Sequence, residues 1–161
     1  MESQTNISAY YQDKSVNYGI GGTRRRKIFK LIGAIKNKKI LDIGCATGYV
    51  SRELKEAGNY VVGVDISAPA VEQASKVLDE AYVMNVAGNW LEEIKNKKFD
   101  LVILAEVLEH VFDPVDVLEK VRDVLSGGGE VIITTPNIMA WHNRIKFIFG
   151  NFKYENQGTF D

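Results

Sequence analysis

Three acidic residues stand where apolar runs end or pass into small residues: Asp42, Asp65 and Glu106. Asp42 opens the segment Asp42-Ile43-Gly44-Cys45-Ala46-Thr47-Gly48, in which Gly44 and Gly48 permit a close backbone turn. If the runs are neighbouring strands, the three carboxylates converge on one rim. Such a rim repels phosphates and suits a ligand with cationic groups and free hydroxyls. The segment is not G-x-G-x-x-G, so the dinucleotide fingerprint is missing. Asp42 has a second reading as a cap for the following turn, and Asp65 as an N-cap for a helix at Ser67. Cys45 reads as a small buried filler, since nothing near it in sequence would activate a thiol. Glu106 and His110 would share a face if helical, but no third ligand is spaced to help, so no metal is expected. His110 is either a general base at a substrate mouth or a polar residue satisfied near Asp113, and the second reading is preferred.

The elements that must position these residues follow from periodicity. Residues 1–22 read as an irregular polar arm carrying Tyr10, Tyr11 and Tyr18. Residues 24–36 take helical period, with Ile28, Phe29, Leu31, Ile32 and Ile35 on one stripe. Arg24, Arg25, Arg26 and Lys27 at its start read as a solvated face, or else as an anion contact at a site mouth. Strands are expected at Lys39–Gly44, Tyr60–Asp65, Ala81–Met84, Phe99–Ala105 and Glu130–Thr135. Helices are expected at Tyr49–Ala57, with Val50, Leu54 and Ala57 inward and Gly58 as its stop, and from Ser67-Ala68-Pro69 through Leu78. Trp90, Leu91 and Ile94 mark a brief helical stretch. Asp113-Pro114 caps a helix with Val117, Leu118, Val121 and Leu125 inward, and Gly127-Gly128-Gly129 stops it. Ile138, Trp141, Ile145 and Ile148 mark one more, where Trp141 and Phe147 read as core or dimer surface. This alternation means right-handed crossovers and a parallel sheet covered on both faces. In such sheets ligands bind at the carboxyl ends of the strands, near the switch in strand order.

Composition bounds the partners. Of 161 residues, 45% are hydrophobic and 25% charged, an ordinary globular mixture of single-domain length. Twenty basic and 21 acidic residues give a net charge of −1, which argues for neither nucleic acid nor an anionic membrane. No apolar run approaches the ~20 residues of a membrane span. A single cysteine fits a reducing cytoplasm.

S-adenosylmethionine is a ligand of the kind the acidic rim suits, with a sulfonium, an ammonium and a ribose diol. Leu41-Asp42-Ile43-Gly44-Cys45-Ala46-Thr47-Gly48 resembles the first motif of the class I S-adenosylmethionine-dependent methyltransferases. Val62-Gly63-Val64-Asp65-Ile66-Ser67 is similar to their second strand and ribose-binding acid. Phe99-Asp100-Leu101-Val102-Ile103 through Ala105-Glu106-Val107-Leu108-Glu109-His110 resembles their fourth-strand motif, and Leu125-Ser126-Gly127-Gly128-Gly129 their turn before strand five. The resemblance covers about residues 25–150. It implies an α/β fold: a three-layer Rossmann-like sandwich, a mostly parallel sheet of at least five strands, helices on both faces. The cofactor domain would run over 23–161.

The resemblance also implies roles. Gly44 and Gly48 would pack under the methionine part, and Cys45 and Ala46 would complete that loop, Ala46 replacing the more usual glycine. Asp42 would orient the methionine part, Asp65 would accept both ribose hydroxyls, and Ile66 would lie against the adenine. Asn85 stands where the family commonly has Asp on the adenine amino group, and Val86 would offer backbone. Ala105 and Glu106 would line the ammonium and methyl region. The expected reaction is in-line methyl transfer to a small-molecule O- or N-nucleophile, with S-adenosylhomocysteine as product. Strand four ends without an Asn-Pro-Pro-Tyr-like sequence, which disfavours nucleic-acid N-methylation. The alternatives are a nicotinamide-dependent oxidoreductase and a non-catalytic cofactor-binding domain. The family's sheet has two further antiparallel strands, whereas only Tyr154 and Phe160 are strand-like after Phe152. The chain is therefore expected to be C-terminally truncated, with strand five an open edge that would support a homodimer.

Overall fold

Strands apolar on both faces need helices on both sides of the sheet, and the chain is built that way. The computed structural model describes residues 22–137. Five strands, β1 (Lys39–Ile43), β2 (Tyr60–Asp65), β3 (Glu80–Val83), β4 (Phe99–Ala105) and β5 (Leu125–Thr134), pair in parallel in the order β3-β2-β1-β4-β5. The helices are α1 (Gly22–Ile32), α2 (Ser51–Glu56), α3 (Ala68–Ala74), α4 (Glu92–Lys95) and α5 (Pro114–Val124). Strand order reverses between β1 and β4, which puts a switch point there. No helix among the described residues is long and apolar enough to cross a membrane.

Alternate strand residues feed two cores. Leu41, Ile43, Val62, Val64, Val102 and Leu104 meet Trp90, Ile94, Val117 and Val121 on the side of α4 and α5. Ile40, Val61, Leu101 and Ile103 meet Leu54, Ala74 and Leu78 on the side of α2 and α3, where Phe29 and Ile32 of α1 also pack. Helix starts follow local chemistry. Ser67 caps α3, its side chain accepting from the Ala70 N–H at 3.4 Å. Asp113 caps α5, accepting from the Val115 and Asp116 N–H groups, each at 3.1 Å.

Several expected details change. Helix α1 ends at Ile32 because Gly33 turns the chain at φ +68°, and Leu31 of its stripe is exposed. Arg25 is not a solvated charge: it pairs with Glu53 of α2 and lies over the Phe29 and Tyr49 rings. Helix α2 is shorter than expected, because Gly48 at φ +75° delays it to Ser51, and Ala57 is exposed. In α3 the α-helical geometry stops at Ala74, and turns carry the chain to Leu78. In α5 Val124 is buried whereas Leu118 is exposed and Leu125 opens β5. Gly127–Gly129 does not stop the helix, which has already ended. Register runs from Phe99↔Leu125 to Leu101↔Glu130, so these glycines form a bulge inside β5. Gly129 is forced there, since a Cβ would lie 2.9 Å from the Phe99 carbonyl oxygen.

At the amino ends of the strands, Glu80 accepts hydrogen bonds from Tyr60, Tyr82 and Lys97. Although partial burial opposes ionisation, these partners hold its carboxyl down to about 2. Strand β5 is one edge of the sheet among the described residues. The arm with Tyr10, Tyr11 and Tyr18, the helix expected around Ile138, Trp141, Ile145, Phe147 and Ile148, and the strand-like Tyr154 and Phe160 lie outside the described residues.

Candidate functional site

The loop after β1 carries three left-handed residues: Gly44 and Gly48, each at φ +75°, and Ala46 at φ +47°. For Ala46 that conformation costs roughly 1–2 kcal/mol. The cost is offset across the sheet, where Asp65 Oδ2, at the end of β2, accepts the Ala46 N–H at 2.8 Å. The Gly44 and Cys45 N–H groups both reach the Val64 carbonyl, at 2.8 and 3.1 Å. Gly44 and Gly48 are demanded by the protein's own packing. A Cβ on Gly44 would lie 2.5 Å from Val107 Cγ2, and one on Gly48 3.0 Å from Val77 Cγ2.

Asp65 is also hydrogen-bonded on its own loop. Its Oδ1 accepts the Ser67 N–H at 2.9 Å, but Asp65 is not the N-cap of α3, which is Ser67 itself. Burial raises its pKa, opposed by hydrogen bonds from Ser67, Ala46 and Ile66. The two carboxylate oxygens offer about four lone pairs, so acceptor capacity remains beyond these three donors. Asp42 is buried, 5% exposed, and Ser51 Oγ donates to its Oδ2 at 2.5 Å. Burial pushes the Asp42 carboxyl up to about 6, with Ser51 opposing and the Asp65 charge adding. Asp42 therefore does not cap the turn after β1 through a backbone N–H; its partner is the first side chain of α2.

The third carboxylate is held differently. Glu106 sits at φ +60°, donates its N–H to the Thr134 carbonyl at 2.9 Å and accepts from Thr134 Oγ1 at 3.2 Å. Two of the three acids are thus electrostatically coupled, while Glu106 reaches across to β5. Glu106 and His110 do not share a helix face. The chain turns at Glu106, and only Leu108–His110 forms a single 3₁₀ turn, leaving His110 exposed. Phe112, just beyond, is fully exposed.

Other expected site residues are placed as follows. Cys45 is 5% exposed and packs beside Gly63, Ala74 and Leu78; its thiol is pushed up, first by burial and then by Asp42 and Asp65. Its side chain packs in the core, which fits its reading as a small buried filler. Asn85 Oδ1 already accepts the Ala87 N–H at 3.0 Å, so its amide oxygen has one lone pair left. The Val86 carbonyl accepts Trp90 Nε1 at 2.9 Å, leaving Val86 its N–H to offer. Ile66 and Ala105 are half-buried at the strand ends.

Three residues that sequence reasoning did not single out hold the surroundings of these groups: Ser51, Lys120 and Thr134. Lys120 Nζ donates to the Gly88 carbonyl at 2.9 Å and pairs with Asp116. Ser51 had one signal, a small hydroxyl in the first turn after a glycine, and Thr134 another, a polar residue ending an apolar strand.

The arrangement has known counterparts. A family model described as a methyltransferase domain matches residues 35–157. A ubiquinone biosynthesis O-methyltransferase of Shewanella sp. (strain ANA-3) is 34% identical over 119 residues, covering 71% of this chain and 50% of that protein. One of Pasteurella multocida (strain Pm70) is 28% identical over 122 residues, covering 66% and 50%. The chain spans about half the length of the curated relatives it matches. Among solved structures, N-methyltransferase NodS from Bradyrhizobium japonicum WM9, in complex with S-adenosyl-l-homocysteine, superposes with a TM-score of 0.68 at 18% identity, over 83% of this chain and 75% of that one. A phosphoethanolamine N-methyltransferase of Haemonchus contortus, also with S-adenosylhomocysteine, gives 0.66 at 18% identity, over 82% and 31%.

Proposed function

We propose, on the premise that this chain belongs to the methyltransferase domain family, that it binds S-adenosylmethionine and transfers its methyl group to a hydroxyl of a small molecule. One observation carries this reading. Asp42 of β1 and Asp65 at the carboxyl end of β2 are coupled acids beside the switch point, both with raised pKa values, and neither is in an ion pair among the described residues. A ligand bearing a sulfonium and an ammonium supplies the positive charge that the protein omits. A phosphate-rich dinucleotide would add repulsion, and the family match favours methyl transfer over nicotinamide chemistry.

When bound, the cofactor supplies an electrophilic methyl. The chain's own residues bind and orient. Asp42 would hold the methionine end, and Asp65 would accept ribose hydroxyls on its remaining lone pairs. Ile66, the free lone pair of Asn85 and the Val86 N–H would face the adenine. Ala105 and Glu106 would border the methyl, and His110, exposed in the 3₁₀ turn after β4, would take the acceptor's proton where the acceptor is a poorly acidic hydroxyl. The O-methyltransferase names of the sequence relatives support a hydroxyl acceptor.

Calorimetry with S-adenosylhomocysteine tests the cofactor, and methyl incorporation from labelled S-adenosylmethionine into a panel of phenols and amines tests the acceptor. Binding is expected for the parent and a loss of at least tenfold for Asp65→Ala. A parent that binds nothing, or an Asp65→Ala protein that binds like the parent, would sink the reading.

A further inference from the structure

We propose that Ser51 is a positioning residue for the site: its hydroxyl fixes the Asp42 carboxylate and keeps it ionised for a cationic ligand. This rests on the methyltransferase reading above and deepens it. Ser51 is completely buried, and its Oγ lies 2.5 Å from Asp42 Oδ2. That hydroxyl is not spent on helix capping, since the N-cap of α2 is Val50 and no side chain caps it. It spans the left-handed loop instead, tying the first turn of α2 to β1 behind the residues that would cradle the ligand.

The surroundings leave Ser51 as the group that favours the charge. In the sheet Asp42 is flanked by Gly63 of β2 and Ile103 of β4, which offer no side-chain donor. The titratable groups that act on it or with it are Asp65, at the end of β2, and the Cys45 thiol on the loop. Asp65 opposes its ionisation, and a neutral thiol does little for it. Removing the hydroxyl would leave a buried carboxylate without a side-chain donor, and such a group takes up a proton instead. The ligand would then meet an acid that is about half neutral near pH 7.

The test follows Asp42 itself. Carbon-detected NMR titration of the Asp42 carboxyl is run on the free parent, Ser51→Ala and Ser51→Thr proteins, beside S-adenosylhomocysteine calorimetry from pH 5 to 8. Ser51→Ala is expected to raise the carboxyl midpoint by roughly one pH unit and to move the pH midpoint of binding with it. Ser51→Thr keeps the donor and should titrate near the parent. Asp42→Asn should bind weakly with no pH dependence near 6, and it serves if Ser51→Ala does not fold. A merely structural hydroxyl would lower the melting temperature and leave the carboxyl midpoint unmoved, and that result overturns the proposal. A parent that binds no S-adenosylhomocysteine while the carboxyl midpoint still shifts would instead refute the methyltransferase reading beneath it.

Discussion

Asp65 holds Ala46 in a left-handed conformation: the carboxylate ending β2 accepts the N–H of a loop residue 19 positions earlier, at 2.8 Å. One side chain thus shapes the backbone of the loop and forms the β2 side of the acidic rim.

Ala46→Gly should therefore stabilise the protein. Relief of the left-handed strain, about 1–2 kcal/mol, exceeds the roughly 0.5–1 kcal/mol lost to a freer unfolded chain. An unfolding free energy higher by up to about 1 kcal/mol in urea titration is expected. A loss of stability would show that the loop is not strained at this residue.

Gly44→Ala should cost about 2–3 kcal/mol. It combines an unfavourable φ of +75° with a Cβ placed 2.5 Å from Val107 Cγ2. Adding Val107→Ala should recover the steric part and leave the backbone part. Strict additivity of the two changes in denaturant unfolding would argue that Val107 is not the obstacle.

Asp42 is a carboxyl whose folded pKa, about 6, lies above its ordinary 3.8. The folded protein holds that proton more tightly than the unfolded chain. Its contribution is complete below about pH 4 and is lost as pH rises through 6. Asp42→Asn should then be more stable than the parent at pH 7.5, by up to about 3 kcal/mol, and equal to it near pH 4. Thermal melts at both values check this, and a parent that stays ahead at pH 7.5 would exclude it. Weaker S-adenosylhomocysteine binding by the same variant would show a stability cost kept for function.

Glu80 has the opposite sign. Its carboxyl is held at about 2 against an ordinary 4.5. Its stabilisation is present above about pH 5 and fades as pH falls through 2. Glu80→Gln should flatten the acid limb of the stability curve between those values. Parallel unfolding curves for parent and variant would mean that the Tyr60–Glu80–Tyr82–Lys97 cluster contributes no pH dependence.

Much of this protein is legible one residue at a time. Periodicity marks the strands, because Val, Ile and Leu runs buried on both faces require a parallel sheet under two helical layers. Ser67 and Asp113 announce their helices, because a cap needs only a short acceptor beside free N–H groups. Asp42, Asp65 and the glycines between Asp42 and Gly48 mark the ligand end of β1 and β2 by position alone. The tertiary structure decides what those groups touch. Glu106 turns to Thr134 of β5, Cys45 fills the core against Gly63, and Asp42 is given to Ser51. Gly127–Gly129 becomes a bulge in β5, since its register is set by Phe99 and Leu101 across the sheet. Residue type and local spacing determine which elements form and which groups could do chemistry. Hydrogen-bond partners drawn from distant strands determine which lone pairs and charges remain for a ligand, and those partners exist only once the chain has folded.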